Sequence, residues 1–170
     1  MWKVPDKMIL SREMFDPLFD LVEDCRGVLQ ESEYHPEGDV YVHSLQCVQI
    51  ALKESIDPDA IIAALVHDIG KKKGSLGHED YAVGMLQDLV SPKTLWLVEQ
   101  HMRVRYYLDG TMKRLGKVKE LMNHPWLPEL IQLARWDHMA RKKISYWSNE
   151  LDRDAFVEKI NNAIEQRKGW

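Results

Sequence analysis

The segment Ile61-Ile62-Ala63-Ala64-Leu65-Val66 is apolar on every side of a helix and runs directly into His67-Asp68. A helix without a polar face belongs in the middle of a packed protein, so other helices have to surround it. Its end then delivers two titratable side chains into the driest part of the chain. A buried, unpaired carboxylate costs several kcal/mol or gives up its charge, so Asp68 requires a cation, a strong set of donors or a metal ion nearby.

Around this segment the apolar positions recur at helical spacing almost everywhere and strict alternation is scarce, which predicts an all-α helical bundle. The first helix is expected from Ser11 to Leu29, with Phe15, Leu18, Phe19, Val22, Cys25 and Leu29 on one stripe. Pro36 and Gly38 break the pattern, and Asp39 caps a helix from Val40 to about Glu54. Asp57 followed by Pro58 opens the apolar helix, expected over Asp59 to Ile69 and ended by Gly70; Lys71 to Ser75 reads as a polar loop. Further helices are predicted over His78–Leu89, Pro92–Leu108, Lys117–Met122, Leu127–Lys142 and Arg153–Arg167. Without a repeat, a linker or a low-complexity tract, residues 1–170 read as one domain.

Composition narrows the function classes. With 45% hydrophobic and 29% charged residues the chain is an ordinary folded protein, long enough to bury roughly 70% of its unfolded surface without metal or disulfide staples. The 23 basic and 27 acidic residues leave a formal net charge of -4, which argues against binding bulk nucleic acid through a positive field. Cys25 and Cys47 have no zinc or redox spacing. No apolar run approaches the ~20 residues of a membrane span, and Pro5 and Asp6 interrupt the place of a signal-peptide core, so a cytoplasmic protein is expected.

Two more core faces carry a misplaced polar group. His43 shares a helical face with Cys47 and Ile50, and Asp137 lies on the stripe of Leu130, Leu133 and Ala134. Taken singly, such a histidine reads as a hydrogen-bonded core residue and such an aspartate as a helix cap or an arginine partner. A cation shared by His43, His67, Asp68 and Asp137 would instead resolve all the burial penalties at once, because imidazole and carboxylate are common ligands of zinc, manganese, iron and nickel.

The order His43, then His67-Asp68, then Asp137 resembles the signature of the HD-domain superfamily. LVHDIGK at 65–71 is similar to its central motif, VYVHSLQCV at 40–48 to its first-histidine helix and LARWDHMAR at 133–141 to its last-aspartate helix; the likeness spans about residues 34–142. It implies an all-α HD fold with His43, His67, Asp68 and Asp137 holding one divalent ion. Members with two metals resemble this layout further, and on that likeness His78 and His101 hold a second ion with Asp68 between the two. As plain sequence, His78 equally reads as a solvated first-turn residue and His101 as a core histidine. The remaining histidines, His35, His124 and His138, fit surface or supporting roles.

The likeness implies one or two divalent transition metals (iron, manganese, zinc, nickel or cobalt) and a phosphohydrolase, because a cation that lowers the pKa of bound water and neutralises phosphoryl oxygens suits phosphate esters. The expected substrate is a small phosphate-containing molecule, a nucleotide foremost. Asp68 and Lys71 are the expected catalytic groups, and Lys71 and Arg105 the phosphate contacts, Arg105 sharing the helical face of His101. Solvated loop and helix-end roles remain open for both cations. The entry His35-Pro36-Glu37-Gly38-Asp39-Val40 resembles the HD domain of bacterial tRNA nucleotidyltransferases, which supports hydrolysis, while the nucleotidyltransferase motif itself is absent.

Two alternatives stand beside this reading. The block from Gly77 to Leu108 is similar to HD-type mixed-valence di-iron oxygenases that cleave organophosphonates. However, the eleven-position step from His67 to His78 is shorter than expected there, and Lys71 after Gly70 is the commoner hydrolase form. The other is a non-catalytic nucleotide-binding module with a structural metal; Tyr106, Tyr107, Trp126, Trp136, Tyr146 and Trp147 could stack a base or simply pack. A homo-oligomer is left open.

Overall fold

A computed structural model describes residues 10–112, 114–143 and 150–168. Among the described residues there are eight α-helices and no strand: α1 (Arg12–Glu23), α2 (Val40–Glu54), α3 (Pro58–Val66), α4 (His78–Leu86), α5 (Pro92–Leu108), α6 (Leu115–Met122), α7 (Leu127–Met139) and α8 (Arg153–Lys168). None of these helices is long and apolar enough to cross a membrane.

Side-chain caps set the starts of α2, α3 and α5. Asp39 caps α2 by accepting from the Val42 N–H at 2.9 Å. Asp57 accepts from the Asp59 N–H ahead of α3, which begins on Pro58, and Ser91 accepts from the Thr94 N–H at the start of α5. Such caps satisfy backbone donors that a helix start leaves open.

Helices α4 and α7 each end three residues before expectation, at Leu86 and Met139, and two further differences change the path of the chain. The first helix stops at Glu23, because Gly27 turns the chain at φ +79°, so Cys25 stays buried while Leu29 lies 85% exposed and leaves the stripe. The apolar helix ends at Val66, and Ile69–Lys73 continues as a 3-10 turn in place of a polar loop. Sharp helix ends are invisible to periodicity when the following residues still carry apolar side chains.

Every residue of α3 is buried, and α1, α2, α5, α7 and α8 all pack against it. Ile61, Ile62 and Leu65 are each 0–1% exposed, a burial that contributes about 1.5–3 kcal/mol per side chain. The C-terminal helix packs on its own core: Phe156 lies edge-on to both Phe15 and Phe19, and Asn161 pairs with the Leu10 backbone in both directions.

Close approach governs the step from α3 to α4. A Cβ on Gly70 would fall 1.8 Å from the His78 carbonyl oxygen and 2.8 Å from the Ala82 nitrogen. Only a glycine lets the 3-10 turn lie directly on α4. That contact places the first residue of α4, His78, beside the end of α3.

Candidate metal centre

Five segments aim polar side chains at one buried point. His43 comes from α2, His67 caps the C-terminus of α3, Asp68 follows it, His78 opens α4, His101 lies within α5 and Asp137 within α7. All six are at most 8% exposed. Donor atoms of His43, His67, Asp68 and Asp137 lie within 4.8 Å of one another, as do those of Asp68, His78 and His101, so each group could hold a metal ion.

Asp68 stands between the two groups with one oxygen for each. Its Oδ2 is 3.5 Å from His43 Nε2 and 3.2 Å from His67 Nε2; its Oδ1 is 3.2 Å from His78 Nε2 and 3.5 Å from His101 Nε2. Asp137 Oδ1 lies 2.8 Å from His43 Nε2 and 3.5 Å from His67 Nε2.

The opposite ring nitrogens are all spoken for. His67, His78 and His101 face the carbonyl oxygens of Ala64, Ser75 and Val98, each three residues earlier, through Nδ1. His43 Nδ1 faces the carboxylate of Glu37 at 2.8 Å. A carbonyl or carboxylate oxygen only accepts, so all four hydrogens sit on Nδ1 and all four Nε2 lone pairs turn inward.

There they meet carboxylate oxygens and one another: His78 Nε2 is 3.0 Å from His101 Nε2. Buried His67 Nε2 and Asp68 Oδ2 approach each other without hydrogen-bonding geometry, and neither has another hydrogen-bond partner. Inward lone pairs and anions at such distances repel unless positive charge lies among them, so the residues present fit a divalent cation.

Without an ion, protons take that place. Burial pushes the His43 imidazole down, but its hydrogen bonds to Asp137 and Glu37 outweigh burial and raise it to about 9. Burial likewise opposes charge on His67, yet Asp68 and Asp137 raise it to about 10. Burial disfavours the Asp68 carboxylate, but His67 and Lys71 hold it well below the usual carboxylate range. Burial, with the neighbouring His67 charge, leaves His101 below an ordinary imidazole.

A cleft of about 430 Å³ opens beside the centre, and His35, Lys71, His78, Arg105, Tyr106 and Arg141 are among its walls. A second hollow of about 330 Å³ shares Arg105 and Arg141 and reaches Asp137 and His138. Lys71 Nζ donates to Gln30 Oε1 at 2.8 Å and stands 3.4 Å from Asp68 Oδ2. Both cations picked out in the sequence therefore border the centre.

Sequence reasoning missed two residues. Glu37 accepts from His43 and His35 on the same oxygen, which leaves His35 buried against the centre; periodicity has no hold on a loop residue. Arg141 donates to Asp137 Oδ2 at 3.4 Å, and its place four residues after Asp137 was the available signal. Of the aromatics, Tyr106 lines the cleft, Trp136 is buried with its indole N–H donating to Glu54, Trp126 packs edge-on to Trp96, and Tyr107 packs against the core. Tyr146 and Trp147 lie outside the described residues.

Residues 40–142, more than half of the chain, match the HD domain family. The chain belongs to the HD domain family. Among curated proteins it is similar to the Multifunctional CCA protein of Methylococcus capsulatus, 38% identical over 79 residues that make up 42% of this chain and 19% of that protein. The Multifunctional CCA protein of Acinetobacter baumannii is 44% identical over 54 residues, 32% of this chain and 13% of that protein. That of Acinetobacter baylyi is 32% identical over 83 residues, 41% and 20% of the two chains. The chain thus spans about a fifth or less of the length of these curated relatives. Family and relatives together support a metal-dependent phosphohydrolase-type domain.

Proposed function

We propose that this HD protein is a phosphohydrolase acting on a phosphate ester of a small molecule, a nucleotide foremost, and that residues 1–170 form one HD domain. The observation that carries the reading is Asp68, which offers one oxygen to each of two donor groups. His43, His67, Asp68 and Asp137 hold one divalent ion, and Asp68, His78 and His101 hold a second. Iron, manganese, zinc, nickel and cobalt all suit imidazole and carboxylate. When bound, such ions supply Lewis acidity to a phosphoryl oxygen and make water a stronger acid.

The chain's own groups do the rest. Lys71, held by Gln30, presents an ammonium beside Asp68 as a point charge for a phosphoryl oxygen. Arg105 offers a planar pair of N–H donors from the cleft wall. The acceptor on each Nδ1 keeps a hydrogen there, so that in the neutral ring Nε2 is the ligand atom, and it holds the ring against rotation. The cleft, at about 430 Å³, has the size of a small-molecule pocket.

Purification without added metal, followed by metal analysis and phosphate-release assays on nucleoside monophosphates and an aryl phosphate, tests the reading. Metal-dependent phosphate release that disappears in Asp68→Ala is expected, with Lys71→Ala raising KM. Two irons per chain with a half-reduced spectroscopic signal, and dioxygen uptake with a phosphonate instead of phosphate release, would replace the hydrolase by the oxygenase.

A further inference from the structure

Three of the four histidines in the centre are oriented in the same way, by the backbone carbonyl three residues before them. His43 is the exception. Its Nδ1 donates to Glu37 Oε1 at 2.8 Å, and His35 Nδ1 donates to that same oxygen, also at 2.8 Å. The Glu37 side chain is 0% exposed, and its other oxygen is buried without a hydrogen-bond partner.

Placing a carboxylate there is costly, since a buried anion needs compensation that a carbonyl does not. Two N–H donors converging on one oxygen supply it, and burial in turn leaves Glu37 no alternative partner in water. A charged acceptor does more than a carbonyl to its imidazole. It strengthens the Nδ1–H bond and pushes electron density towards Nε2, the atom that faces Asp137 and Asp68.

We infer that Glu37 is the positioning residue for His43, setting the tautomer and donor strength of this one ligand, and that His35 is the clamp that holds Glu37 in place. This rests on the metal centre proposed above. It makes the two donor groups unequal: the group of His43, His67, Asp68 and Asp137 has four ligands and the reinforced imidazole, whereas the group of Asp68, His78 and His101 has three ligands and only carbonyl-backed rings. One ion is therefore held more tightly than the other, and the difference depends on Glu37.

Calorimetric titration of the full chain with Mn²⁺ alone tests this. Two binding events of unequal affinity are expected. Glu37→Gln keeps the shape but removes the charge, and it should weaken the tighter event about 10–100-fold while leaving the weaker event within a few-fold. His35→Ala removes one of the two donors that hold the Glu37 carboxylate, so the tighter event should weaken in the same direction but by less than in Glu37→Gln, and no change there would overturn the role of His35. Nitrogen-15 spectra of the imidazoles recorded above about pH 10, where His43 is neutral, should show it as the Nδ1–H tautomer in the original chain and as a mixture in Glu37→Ala.

An unchanged tighter event in folded Glu37→Gln overturns the inference while the metal centre stands. No Mn²⁺ binding by the original chain overturns both. Should neither Glu37 variant fold, the tautomer in the original chain decides, and His43 carrying its hydrogen on Nε2 overturns the inference.

Discussion

Protons and a metal ion compete for the same nitrogen atoms. In the ion-free protein His43 is held up at about 9 and His67 at about 10, against an ordinary 6.5, after their carboxylate partners outweigh burial. A folded-state pKa above the unfolded one means stability that is fully present below pH 6.5 and is lost as pH rises through about 9 to 10. Asp68 and Asp137, held low, work in the other direction, and their contribution is lost as pH falls below the ordinary carboxylate range. Ligation needs the neutral imidazole, so loading near pH 7.5 should expel roughly two protons per chain. Titrating Mn²⁺ in buffers of different ionisation enthalpy measures that release, and none would contradict protonated His43 and His67. The six donors were visible as polar residues on apolar helical faces or as members of the family pattern. Glu37 was not, because a loop residue six positions ahead of His43 meets it only after the chain has turned.

The element that organises the centre is α3 with the 3-10 turn behind it. Its all-apolar sequence places it in the middle, and Gly70 then brings α4 close enough for His78 to reach Asp68. In Gly70→Ala the new Cβ has nowhere to go, since backbone atoms of His78 and Ala82 occupy its place. Overpacking of this kind costs about 1–3 kcal/mol, and it should separate α4 from the turn, taking His78 away. Metal analysis of that variant is expected to show loss of the ion at Asp68, His78 and His101 with the other retained. Full metal content and an unshifted Tm would show that the contact is not needed. The boundaries of α2 and α5 were legible because Asp39 and Ser91 are strong caps. The end of α1 was not, since Cys25 and Leu29 kept the helical period beyond the turn at Gly27.

Across the whole molecule, the centre joins α2, α3, α4, α5 and α7, segments from His43 to Asp137 that otherwise meet only through apolar packing and scattered polar contacts. An ion that binds the folded chain at a hundred times its Kd adds about 2.7 kcal/mol, and for a domain of this size that corresponds to a Tm rise of roughly 5–10 °C. Scanning calorimetry with Mn²⁺ and then with chelator should show that rise and its reversal; coincident transitions would mean that no ion stabilises the fold. The sequence by itself determined the all-α class and the buried central helix, and it put His43, His67, Asp68 and Asp137 on or at the end of apolar faces, whereas His78 and His101 were singled out only through the family likeness. The first group of readings follows from helical period and from the cost of placing charge on an apolar face, both of which are local. The tertiary structure alone decided that Asp68 turns one oxygen to each group, that Glu37 stands behind His43, and that Lys71, Arg105 and Arg141 border one cleft. The centre joins residues as far as 94 positions apart, and helix packing, not spacing along the chain, brings them within reach.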